Sequence, residues 1–139
     1  MEQFSDYGHA ILSVVLFAVL VQVLNAMTGI RKGAKNLMPG QGHDADYDDQ
    51  AYRIDRAYMN GVEILGIFAV VTFAAILAGA NAFWVNLFAS VVLVIRLIYT
   101  FAYFRKIGAP YGGLRTNLSI MSAAAIVAIA ILAIAAVFG

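Results

Sequence analysis

The sequence predicts an all-α integral membrane protein, a bundle of four transmembrane helices. Of its 139 residues, 63% are hydrophobic and only 12% charged, whereas a soluble domain carries about 25% charged and about 45–50% apolar residues. Four apolar runs, roughly 10–29, 57–79, 82–104 and 118–138, each approach the ~20 residues a helix needs to cross a ~30 Å hydrocarbon layer. The runs do not alternate, and four strands are too few for a membrane barrel, which needs about eight. Length allows a single domain over residues 1–139. With no cysteine, disulfides, thiolate metal sites and a cysteine nucleophile are excluded. A net charge of +1, nine basic residues against eight acidic, removes any case for bulk nucleic-acid binding.

The first run is uncharged. Glu2 and Asp6 flank it where a secretory signal would be basic, and no small-residue cleavage site closes it, so it is expected to stay as a helix. A long polar connection, 30–52, follows, with Gly33, Pro39, Gly40 and Gly42 as helix breakers. The turn Ala78–Asn81 is short enough to make the second and third spans an antiparallel hairpin. The connection Arg105–Thr116 contains Pro110, Gly112 and Gly113. The fourth span has no polar residue after Ser122 and reads as packing surface, its alanines permitting close helix approach.

Arg31, Lys32, Lys35, Arg53, Arg56, Arg105, Lys106 and Arg115 all lie in or beside the first and third connections, and the other side holds no Lys or Arg. Basic loops stay cytoplasmic, so 30–52 is expected to be a cytosolic loop and both termini non-cytoplasmic. The small size and the lack of a targeting signal point to a bacterial inner membrane. Phe83 and Trp84 on the far side and Tyr103 and Tyr111 on the near side are expected as interfacial anchors. The cluster Asp44, Asp46, Asp48 and Asp49 lacks the spacing of a calcium loop and reads as solvated. His9 and His43 fall on opposite sides of the membrane, so no metal site is expected.

Two ionisable residues lie inside the spans, Glu63 in the second and Arg96 in the third. Each costs at least ~2.5–3.5 kcal/mol at mid-membrane if unpaired. At 1.5 Å rise per residue they lie roughly 10 and 12 Å below the cytosolic side. On antiparallel neighbours at one level, they are expected to form a structural ion pair. Arg53, Arg56, Asn60 and Glu63 follow one another at spacings of three, four and three, a stripe along one helix face. Arg96, Tyr99, Thr100 and Tyr103 form a second stripe. Facing one another, or a cleft with a neighbouring subunit, the stripes predict a polar pocket open to the cytosolic surface, floored by Glu63 and Arg96 and rimmed by Arg31, Arg56 and Arg115. An excess of arginine suits a small anionic ligand, because guanidinium grips carboxylate bidentately.

The string from Arg56 to Glu63, R-A-x-x-N-x-x-E at the start of the second span, resembles the signature of the MAPEG family, membrane-associated proteins in eicosanoid and glutathione metabolism. The run Arg96-Leu-Ile-Tyr99-Thr100-Phe-Ala-Tyr103, followed by Ala109-Pro110, is similar to the third span of its microsomal prostaglandin E synthase branch, near the microsomal glutathione transferases. Gly29-Ile30-Arg31-Lys32 sits where that family places a basic residue. The resemblance covers nearly the whole chain. It implies a homotrimer with glutathione as co-substrate at each subunit interface, contacted by Arg31, Arg53, Arg56, Asn60, Glu63, Tyr99 and Tyr103. It also implies Arg96 as a supporting residue and Arg115, with Tyr103, as the catalytic group at the thiolate. The chain departs from the branch where Tyr111–Leu114 intervenes before Arg115-Thr116, where Tyr99 replaces a histidine, and where Met59 replaces an arginine of some members.

The implied activity is transferase or peroxidase chemistry on a hydrophobic electrophile delivered by the bilayer lipids. Arginine favours the thiolate and tyrosine hydroxyls can donate to it, while Asn60 and Glu63 can receive ammonium or amide groups. One rival is a non-catalytic accessory or assembly subunit of the same fold. A small multidrug transporter is disfavoured, since those proteins carry their membrane carboxylate in the first helix.

Overall fold

A computed structural model describes residues 2–139, with side chains from Phe4 onward, as five helices. A short α1 (Glu2–Ser5) precedes four long helices: α2 (Gly8–Ala34), α3 (Gln50–Leu77), α4 (Ala82–Phe104) and α5 (Leu114–Phe138). All four long helices are long and apolar enough to cross a membrane, and the chain is an integral multi-pass membrane protein. α2 and α5 stand at opposite corners, each packed against α3 and α4, and α3 and α4 touch across the diagonal.

The core follows the helical period. Ala10, Val14, Phe17 and Val21 of α2 meet Phe68 and Ala75 of α3, Val85, Ala89 and Val92 of α4, and Ala125, Ile129 and Ala133 of α5. Phe17 and Phe68 lie with ring centres 6.1 Å apart. The opposite faces carry exposed Val15, Val19, Ile67, Val70, Val94, Ile131 and Ile134, as lipid solvation of the outer surface requires. At Gly61 an added Cβ would stand 3.1 Å from Val21 Cγ2, so α2 and α3 approach closely there.

Helix ends are satisfied by specific groups. Asp49 accepts from Ala51 N at 2.9 Å to start α3, and Asn81 accepts from Phe83 N at 3.1 Å to start α4. The α3–α4 turn closes through Gly79 at φ 70°, with Ala80 N donating to Ala75 O at 3.0 Å. At the start of α2, where no side chain of its own caps it, Asn86 of α4 accepts from Ala10 N at 2.8 Å and donates to Asp6 O at 2.6 Å.

The hairpin of the second and third spans stands as expected. Three bounds are corrected. α2 overruns its apolar run to Ala34 and α3 begins at Gln50, so the first connection is 35–49 rather than 30–52. α5 begins at Leu114, which puts Arg115 in its first turn rather than in a loop. An apolar run marks the hydrocarbon, whereas a helix continues into water wherever a capping group such as Asp49 satisfies its end.

Candidate functional site

The ends of α2 and α4 and the starts of α3 and α5 gather the basic residues at one end of the bundle. The 35–49 connection is tied across that end. Arg53 of α3 donates Nη1 to Tyr47 O at 2.7 Å and Asp48 O at 2.8 Å, and Nε to Tyr103 O at 2.9 Å. Asp48 pairs with Lys106 beyond α4, and Asp49 with Lys35 beyond α2. The Lys106 ammonium holds the Asp48 carboxyl below the usual carboxylate range, and Asp49 is held low by accepting from Lys35 Nζ and, separately, from the Ala51 N–H. Lys32 pairs with the buried Asp55 at 3.1 Å, and Arg31 donates to Gln50 Oε1 at 3.2 Å, both joining α2 to α3.

About two turns deeper, Arg96 of α4 is 1% exposed. Its Nη2 donates to Asn60 Oδ1 at 2.7 Å, while Nε and Nη1 have no partner. Its guanidinium carbon lies 4.2 Å from the Tyr99 ring centre and 5.6 Å from that of Phe17. Tyr99 and Tyr103, one turn apart, have ring centres 5.0 Å apart.

Arg115 completes the cluster. It is 6% exposed, with its guanidinium carbon 4.6 Å from the Tyr103 ring centre and 4.5 Å from that of Tyr47. Nη2 donates to Ala109 O, and Nε has no partner. Tyr99, Tyr103, Arg115, Thr116, Ser119 and Pro110 line a cleft of about 260 Å³ between α4 and α5. Its lining combines a buried guanidinium with phenol rings and hydroxyls, a donor-rich wall suited to an anion.

The structure thus unites Tyr99, Tyr103 and Arg115 in one cleft and joins Arg96 to it through Tyr99. The expected Glu63–Arg96 ion pair is corrected: Arg96 meets Asn60, and Glu63 is exposed and in no ion pair among the described residues. The α3 stripe divides. At 100° per residue, Arg53 and Asn60 lie about 20° apart and face inward, whereas Arg56 and Glu63 lie about 60–80° round the helix and face outward. Arg53 is buried and Arg56 exposed accordingly. The pocket expected between Glu63, Arg96, Arg31, Arg56 and Arg115 is therefore not formed within one chain. Thr100 lines a separate apolar groove with Leu24, Ala57 and Phe101 on the far side of α4.

Tyr103 is half-buried against Arg115 and Tyr99 rather than an interfacial anchor, whereas Tyr111, 93% exposed, is free to be one. In the acidic cluster Asp44, Asp46 and Asp48 are exposed, as expected, and Asp49 is half-buried; Asp48 and Asp49 also fasten the connection. Sequence reasoning missed Asp55, which stood between two arginines of the stripe, and Tyr47, which no periodicity marks. It also missed Thr116 and Ser119, whose spacing on α5 shows only once the helix is known to begin at Leu114.

No curated protein matches the chain in a sequence search. The model of the MAPEG family matches residues 9–137, nearly the whole length, and the chain belongs to that family.

Proposed function

We propose that the protein is a membrane-bound glutathione transferase or peroxidase acting on hydrophobic electrophiles from the bilayer. Family membership supports a glutathione-related membrane function. The observation that carries the finer reading is Arg115, buried beside Tyr99 and Tyr103 with an unpartnered Nε–H in a donor-lined cleft. A guanidinium so placed fits an anionic sulfur. The glutathione thiol loses its proton to water, and the guanidinium holds the resulting thiolate. In conjugation, the sulfur lone pair forms a C–S bond as the leaving group departs with its bonding pair. With a hydroperoxide, sulfur takes the distal oxygen, the O–O bond breaks, and the alkoxide picks up a proton. A second glutathione then displaces water from the sulfenic acid to give the disulfide.

One chain holds only part of the site. Arg56 and Glu63 face outward from α3, so they reach a ligand seated against Arg115 only if another copy brings the α4–α5 cleft alongside. We therefore assign the working unit as a homotrimer, with Arg56 and Glu63 of one copy binding the peptide part of glutathione and Asn60, turned inward onto Arg96, supporting them. Arg31 sits at the same end and completes the carboxylate contacts. Arg53, whose Nε and Nη1 are already bonded to carbonyls, braces the site. The basic end faces the cytosol and both termini face away, on the distribution of Lys and Arg. A bacterial inner membrane is the setting proposed.

Calorimetry on detergent-solubilised protein should show glutathione binding, weakened by Arg56→Ala and by Glu63→Gln. Thiolate ultraviolet absorbance should appear in the complex and vanish in Arg115→Ala. No binding at millimolar glutathione would replace this reading with that of a non-catalytic accessory subunit.

A further inference from the structure

Arg115 is flanked by two aromatic rings. Tyr103, on α4, and Tyr47, from the connection between α2 and α3, have ring centres 4.6 and 4.5 Å from its guanidinium carbon. With two rings against it and Nη2 donating to Ala109 O, the guanidinium is 6% exposed and held beside the α4–α5 cleft. Its Nε is enclosed and has no hydrogen-bond partner.

Tyr47 is carried to this place by groups other than its own ring. Arg53 holds its carbonyl at 2.7 Å and that of Asp48 at 2.8 Å, and Asp48 pairs with Lys106. The Tyr47 hydroxyl reaches Gly108 O only at 3.4 Å, a weak hydrogen bond by length. What the side chain supplies is therefore chiefly the ring. Arg115 is the second residue of α5, shortly after Gly112 and Gly113, both at positive φ.

We propose that Tyr47 is a positioning residue for Arg115: its ring holds the guanidinium beside the α4–α5 cleft and keeps water off it. A guanidinium shielded this way acts on a bound anion through a lower local dielectric than one reaching into solvent. Removing the ring frees the side chain to hydrate and swing, and thiolate stabilisation falls although the charge remains. This inference rests on the reading that Arg115 holds the glutathione sulfur.

Two measurements test it on the full chain in detergent, with Tyr47→Ala and Tyr47→Phe. In ligand-free protein, modification of Arg115 by phenylglyoxal is followed by mass spectrometry, with exposed Arg105 as internal reference. Labelling of Arg115 should be several-fold slower than that of Arg105 in wild type and Tyr47→Phe, and should approach it in Tyr47→Ala. With glutathione bound, the pH midpoint of thiolate absorbance should rise by about one unit in Tyr47→Ala, a tenfold weaker preference for the anion, and stay in place in Tyr47→Phe. The proposal is overturned if wild-type Arg115 labels as fast as Arg105. It is equally overturned if the midpoint is unmoved in Tyr47→Ala, or if Tyr47→Phe behaves as Tyr47→Ala does. A wild type with no thiolate signal would defeat the glutathione reading instead, and would overturn the role at the sulfur along with it, while the labelling contrast still decides whether Tyr47 covers Arg115.

Discussion

Arg96 Nη2 donates to Asn60 Oδ1 at 2.7 Å, fastening α4 to α3 below the basic end of the bundle. A guanidinium so deep in the protein has aromatic faces and one amide around it rather than a carboxylate. Such a charge tolerates little further loss of partners, because breaking a buried polar contact from one side leaves the other stranded.

Asn60→Leu should accordingly destabilise the bundle by about 1–3 kcal/mol, the penalty of an orphaned charged donor. Arg96→Leu combined with Asn60→Leu should cost less than the two single effects added together. Unfolding titrations in mixed micelles would read both; strict additivity would show that the 2.7 Å contact contributes nothing.

The close approach at Gly61 gives a steric prediction. An alanine Cβ there meets Val21 Cγ2 at 3.1 Å, which a small shift of Val21 accommodates. A leucine cannot be accommodated so, and Gly61→Leu should destabilise by roughly 1–3 kcal/mol through overpacking of α2 on α3. Equal midpoints for Gly61→Ala and Gly61→Leu would argue against a tight seam.

Glu63 discriminates lipid from protein at the outer face of α3. It lies fourteen residues before the end of α3, so about 21 Å from that end and within the hydrocarbon. Facing lipid alone it would cost at least ~2.5 kcal/mol, and Glu63→Leu would then stabilise the protein and leave its oligomeric state alone. The proposed subunit interface requires the reverse. Native mass spectrometry should show Glu63→Leu shifting trimer toward smaller species.

The fastening of the 35–49 connection has a defined pH window. Asp48 and Asp49 have folded pKa values below their usual value of 3.8. Their contribution is thus complete above that value and is lost as pH falls through the lower folded values. Hydrogen exchange of residues 36–49 should be flat, after correction for intrinsic rate, between about pH 5 and 8 and rise only below about pH 4. Both pairs involve exposed groups, so added salt should raise exchange as well. Asp49→Ala, which also removes the α3 cap, should cost about 1 kcal/mol.

The sequence by itself determined the solvent. An excess of apolar residues arranged in four runs admits only a membrane bundle, and the turn Ala78–Asn81 makes α3 and α4 neighbours without reference to any other helix. It also picked out Arg96, Tyr99, Tyr103 and Arg115 as chemistry-bearing groups, because polar residues near a span are few. Which of them meet was decided by tertiary structure alone. Spacings of three and four leave a stripe about 80° wide, and within that width Arg53 and Asn60 turn inward while Arg56 and Glu63 turn out. Periodicity fixes a face only relative to its own axis; the rotation of each helix about that axis is set by packing, here of Phe17, Phe68 and Ala75. Tyr47 was invisible for a related reason. A loop has no period, and its place over Arg115 comes from carbonyl contacts to Arg53 that exist only once α3, α4 and α5 stand together.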